Sequence, residues 1–245
     1  MTDIMKRILL PLAVLLVAAG CDRFTVGTYQ DNLQMAAQED QPDSLLFSIS
    51  LDYATGGMPK AALEAMNRSI ILQAFDLETL DAPLEEIAVT YRENLVDEYL
   101  NDFDPQTPFF SWEDNIQGEF LPDWKGWKNY LLQYYCFRGG AHGIQTVSYL
   151  VFDAKTGAQL HEADIFKEGF QEPITELLRA SVLDEFSYEP QLQELLDLEA
   201  VVPNGNFVAD AEGIMWAYQP YEVGPHSLGV VSATLYWEDL KPFLK

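Results

Sequence analysis

The chain has 245 residues and carries 14 Lys and Arg against 39 Asp and Glu, a formal net charge of −25. Hydrophobic residues make up 48% and aromatic residues 13%, enough to build a core, so wholesale disorder is excluded. The acidity argues against nucleic acid as a partner, since phosphate contacts need a Lys/Arg surface, and favours cationic partners.

Lys6 and Arg7 precede an apolar run from Ile8 to Gly20. That run is shorter than the roughly 20 residues a membrane-spanning helix requires. Positive charge, a short apolar run and then small residues is the order of a secretory signal peptide, here residues 1–20. The run ends Val17-Ala18-Ala19-Gly20-Cys21 and resembles a bacterial lipobox, with Ala18 where Leu is more usual. Cleavage before Cys21 and acylation of its thiol are what this implies. The expected location is the cell envelope, outside the cytoplasm, with the protein held on a membrane by lipid and not threaded through it. If Cys21 carries lipid, Cys136 has no partner in the chain, and the fold must rest on its core. Cys136 lies in the apolar run Tyr134–Phe137 and reads as a small buried thiol.

Residues 21–44 are polar and read as a flexible tether. An N-terminal lobe is expected over 45–115. It opens with a strand, Leu45–Tyr53, ended by Gly56-Gly57. A helix starts at Pro59, with Leu63, Met66, Ile70 and Ala74 on its apolar face. A second helix has Asp81 as its N-cap and Leu84, Ile87, Tyr91, Leu95 and Tyr99 as its stripe. A C-terminal lobe is expected over 116–245. Strands are predicted at Asn115–Leu121, Tyr130–Phe137 and Ile144–Asp153, with the loop GGAHG at 139–143 and a tight turn at Asp153–Gly157. Ile174–Val182 marks a third helix and Leu192–Leu198 a short fourth. Asn206–Ala209, Gly213–Tyr218 and Gly229–Tyr236 are closing strands, and Asp239–Leu244 a last helical turn. Strands that follow strands directly imply an α+β fold with a largely antiparallel sheet and two helix pairs, as one domain or two closely packed lobes.

GGAHG at 139–143, Phe152-Asp153, Thr156-Gly157 and Asp164-Ile165-Phe166 form one group of motifs. Phe207, Glu212-Gly213-Ile214, Tyr218-Gln219-Pro220-Tyr221-Glu222 and Gly229 form another. Together they resemble the extracytoplasmic domain of RsiV-type anti-sigma receptors and of the N-terminal region of PdaC-type peptidoglycan deacetylases. Ser48–Tyr53 and Ala62–Ile71 resemble the companion domain that precedes it. Pro225-His226-Ser227 and Tyr236-Trp237 depart from the family pattern. The sigma-binding segment and membrane helix of the receptors, and the deacetylase domain of the enzymes, have no counterpart here. The resemblance therefore implies an outer binding or sensing part alone, with a cationic protein such as lysozyme, or a peptidoglycan fragment, as ligand.

His142 is the residue closest to a catalytic candidate, and an envelope hydrolase centred on it is the alternative reading. No GxSxG or SxxK motif supplies a nucleophile, and no HExxH, paired-Cys or calcium-loop pattern supplies a metal site. His161, Glu162 and Asp164 read as a solvated cluster. A scaffold subunit of an envelope complex is a third reading. No cofactor is implied. The residues expected to meet a ligand are His142 and Gly140 in the glycine loop and Tyr218 and Tyr221 in the YxPYE block, since exposed aromatic rings stack on sugars or anchor partners. Trp124, Trp127 and Trp216 are further aromatic candidates.

Overall fold

The computed structural model describes residues 23–38, 44–104, 106 and 111–245. The expected signal peptide, residues 1–20, and the expected lipidation site Cys21 lie outside these. Thr25–Met35, expected within the tether, is instead an 11-residue strand, β1. It pairs antiparallel with β2 (Leu45–Gly56), from Val26 opposite Ala54 to Met35 opposite Leu45. β1 reads as polar because it is an edge strand with one uncovered face. Thr28, Gln30 and Asn32 point to that face, and only Tyr29, Leu33 and Met35 reach the core.

Leu45, Phe47, Ile49 and Leu51 are buried at every second position of β2. Two helices cover them, α1 (Lys60–Ala74) and α2 (Leu84–Asp102), with Ala62, Met66 and Ile70, and Leu84, Ala88, Leu95 and Tyr99, as their buried faces. Asp81 is not the N-cap of α2. Pro83 precedes the helix and its carbonyl accepts the Glu86 and Ile87 N–H groups, while Asp81 accepts a hydrogen bond from the Thr79 hydroxyl. The helices form the crossover to β3 (Trp112–Trp124), which therefore pairs parallel with β2. β4 (Trp127–Phe137) and β5 (Ile144–Asp153) follow antiparallel, so the sheet order is β1-β2-β3-β4-β5. The division expected between residues 115 and 116 falls inside β3, whose hydrogen-bond ladder joins it to both neighbours.

The chain then leaves the sheet through the Asp153 turn. Asp153 accepts from the Lys155 and Thr156 N–H groups and the Thr156 hydroxyl. Those bonds, Thr156 first, hold its carboxyl below the usual range. A second unit comprises α3 (Glu162–Ile165), α4 (Gln171–Glu185) and a single turn α5 (Pro190–Gln193). A three-stranded antiparallel sheet completes it, with β6 (Phe207–Ala209), β7 (Gly213–Tyr218) and β8 (Val231–Tyr236), and α6 (Trp237–Leu240) follows. Ile174, Leu178 and Val182 of α4 pack with Trp216, Val231, Ala233 and Leu235 to make a second core. The fold is α+β with largely antiparallel sheets.

The first core contains a buried charge. Asp114 on β3 is fully buried and accepts from the Tyr91 hydroxyl at 3.2 Å, the Tyr134 hydroxyl at 3.0 Å and Arg138 Nη2 at 2.6 Å. The Arg138 guanidinium also lies 4.8 Å over the Trp112 ring. Burial, and then the neighbouring Asp114 charge, pushes the Tyr91 hydroxyl up to about 12 and raises Tyr134 too.

Removal of one partner leaves the other charge buried, so Arg138→Met is expected to cost about 3–5 kcal/mol in urea unfolding. Tyr91 must stay protonated in the fold while the unfolded chain loses that proton near pH 10. Stability contributed at Tyr91 is therefore intact below pH 10 and falls as pH rises towards about 12. A Tyr91→Phe variant should show a shallower loss across that window in the same assay.

Candidate functional site

β5 is the last strand of its sheet, and its outer edge presents backbone groups that need partners. Amide side chains from the second unit supply them. Asn206 Oδ1 accepts the Tyr149 N–H at 2.7 Å, and its Nδ2 donates to the carbonyls of Val147 and Ala217, each at 2.9 Å. Gln219 Oε1 accepts the Val147 N–H at 2.9 Å, and its Nε2 donates to the Val147 carbonyl. The two units are joined here by side chains acting in place of another strand. A second joint is aromatic. Trp124, at the end of β3, stacks on Trp237 of α6 with centroids 5.8 Å apart, and Trp127 meets the same ring edge-on.

Gln219 opens the YxPYE turn. The Glu222 N–H donates to the Gln219 carbonyl at 2.9 Å. The Glu222 carboxylate accepts the Gln219 N–H at 2.7 Å and Asn204 Nδ2 at 2.8 Å. Pro220 precedes Tyr221, whose φ is +73°, a left-handed value suited to glycine at that place in the turn. A bulky residue pays about 1–2 kcal/mol to sit there. Tyr221 is nonetheless 62% exposed. Strain at an exposed aromatic makes Tyr221 a candidate for a functional position.

The Tyr221 ring lies 5.4 Å from His226, in the short 3₁₀ turn His226–Leu228. His226 in turn stacks on His142 with centroids 4.0 Å apart and planes at 21°. The structure thus joins two of the four residues expected to meet a ligand, His142 and Tyr221, through a third residue that sequence reasoning did not select. Nothing in local spacing could have linked His142 to His226. Only the fold brings the loop after β4 against the 3₁₀ turn.

Tyr218 has another role. It is fully buried at the end of β7, and its hydroxyl donates to the Val202 carbonyl at 3.1 Å. Burial, and then the Glu222 charge, raises its pKa. Trp216 is buried too, with Nε1 donating to Glu162 at 2.9 Å. Gly140 has φ +98°, and a Cβ built there would meet nothing within 4 Å. Glycine there serves the backbone conformation, since no neighbouring protein atom requires the missing Cβ.

His142 Nδ1 lies 3.2 Å from the adjoining Gly143 carbonyl. Its ring partner is a second imidazole, so the contacts among the described residues give it neither an orienting carboxylate nor a nucleophile to activate. Among the described residues no group of three or more His, Cys, Asp or Glu could hold a metal ion. Glu162 and Asp164 are committed to structure. Glu162 binds the Trp216 indole and the Gly205 N–H, and Asp164 accepts the His161 N–H at 2.9 Å. Cys136 is free and half-buried. Among the described residues no helix is long and apolar enough to cross a membrane.

Residues 163–238 match a family model described as a protein of unknown function, DUF3298. The chain is also similar to two solved structures. One is a DUF3298 family member from Bacteroides fragilis NCTC 9343, with a TM-score of 0.81 and 20% identity over 91% of this chain and 94% of that one. The other is a DUF3298 family protein from Pseudomonas aeruginosa PAO1, with a TM-score of 0.63 and 17% identity over 92% and 97% of the two chains. At these identities the likeness establishes the fold. No curated protein matches the sequence.

Two substitutions test the site's construction. Tyr221→Gly should relieve the turn and raise stability by up to about 1 kcal/mol in thermal unfolding. Asn206→Ala should lower stability by about 2 kcal/mol in the same measurement, because it strips partners from the β5 edge.

Proposed function

We propose that the protein is a lipid-anchored binding or sensing module of the bacterial cell envelope that works without catalysis and takes a cationic protein as ligand. The observation that carries this reading is Tyr221, exposed in a strained turn beside the stacked His226 and His142. Exposed aromatic residues of this kind are the anchors of protein interfaces. The net charge of −25 supports a cationic partner, because it accelerates encounter and disfavours anionic competitors. The lipobox-like run ending at Cys21 supports the anchor. The resemblance to RsiV-type receptors makes lysozyme the first ligand to try, with peptidoglycan fragments next.

Calorimetric titration of the full chain in detergent with lysozyme should show saturable binding that weakens as salt rises. Tyr221→Ala should weaken it by roughly thirtyfold, the loss expected at an interface anchor, while the thermal midpoint stays near wild type. Silence with both lysozyme and muropeptides would remove the reading. The anchor is tested separately. Cys21→Ala should abolish incorporation of labelled palmitate in cells and leave an altered precursor on gels. Wild-type labelling and migration would refute acylation.

A further inference from the structure

Two cavities of about 430 and 330 Å3 lie side by side along β5 and share Gln73 and Ser148. The first is lined by the C-terminal end of α1, Tyr91, Tyr134 and Thr146. The second continues past the β5 edge to Gln159, Asn204 and Glu222. They form one groove between α1 and the second unit, lined by Gln219 and Glu222 of the YxPYE turn but not by Tyr221. We propose that this groove binds a neutral oligosaccharide. The proposal deepens the binding-module reading and rests on it, adding a glycan site separate from the Tyr221 surface.

Three features select that ligand class. No Lys or Arg lines either cavity, so an anionic ligand would find no charged partner. The β5 backbone that an extended peptide would pair with is already taken by Asn206 and Gln219, so strand addition is closed. Asp76, His161 and Glu222 also line the groove, Glu222 being already engaged by Asn204 and Gln219, and the groups suited to a neutral ligand both donate and accept: the amides of Gln73 and Gln159 and the hydroxyls of Thr146 and Ser148. None of these four side chains is engaged in a hydrogen bond among the described residues. Sugar hydroxyls likewise donate and accept. The aromatic surfaces of Tyr91, Tyr134 and Tyr149 beside them suit the C–H faces of sugar rings.

One wall is set before any ligand arrives. Asn204 is fixed by the Ala217 carbonyl and by Glu222, and Glu222 by the Gln219 N–H. Groups held this way lose little freedom on binding, which is the condition for affinity in a polar groove. Gln73 and Gln159 are the adjustable partners.

The test is calorimetric titration of the full chain in detergent with three probes: chitotetraose, cellotetraose and pentalysine. At least one of the two saccharides should bind. Gln73→Ala and Gln159→Ala should each weaken it roughly tenfold, with thermal midpoints unchanged, since neither side chain makes an internal hydrogen bond. Tyr221→Ala should leave saccharide affinity intact while it impairs lysozyme binding, so the two readings fail independently. Silence with both saccharides would overturn the proposal. So would saccharide binding that ignores both glutamine substitutions, or pentalysine binding that is lost in Gln73→Ala.

Discussion

The arrangement of this molecule depends on how the free edge of β5 is satisfied. An edge strand leaves N–H and C=O groups that must find water, another strand or side chains. Here Asn206 and Gln219 take the Val147 and Tyr149 groups, and Asn206 also holds the Ala217 carbonyl of β7. Planar amides do this well because each offers a donor and an acceptor in one plane, as a backbone peptide does. The consequence is a fixed relation between two cores that also meet through a tryptophan stack, the Asn129 bond to the Ala209 carbonyl and Val151 of β5.

That relation determines where function can sit. The YxPYE block begins at Gln219, so pinning Gln219 to β5 also places the turn that follows it. Tyr221 of that turn meets His226, and Glu222 lines the groove. The strain at Tyr221 is sustained because Glu222 closes the turn twice, through its backbone N–H and its carboxylate. In the first core, Asp114 plays a comparable organising part. It gathers α2, β4 and the residue after β4 around one buried carboxylate, and Arg138, which it holds, starts the loop that carries His142.

Most strands and helices were legible because their burial has a period. Leu45 to Leu51 alternates, and Met66 to Ile70 recurs at helical spacing, whatever the rest of the chain does. β1 was not legible, because an edge strand with an uncovered polar face lacks the full alternation that identifies a strand. Asp81 looked like a cap, but Pro83 lies nearer the first apolar position and sets the start of α2. Within the site, Tyr218 and Tyr221 looked equivalent. Tyr218 ends β7 facing inward, while Tyr221 lies beyond it on a turn, so strand phase separated them and residue type did not.

What the amino-acid sequence determined alone was local or summed: most of the elements, the α+β class, the acidity, and the signal-like start with Cys21 at its end. These depend on neighbours within a few residues or on composition. The pairing of His142 with His226, the burial of Tyr218 and the groove between α1 and the second unit were decided by tertiary structure. Each joins residues from distant segments, and the forces that join them, edge-strand hydrogen bonding and aromatic stacking, act only once the chain has brought those segments together.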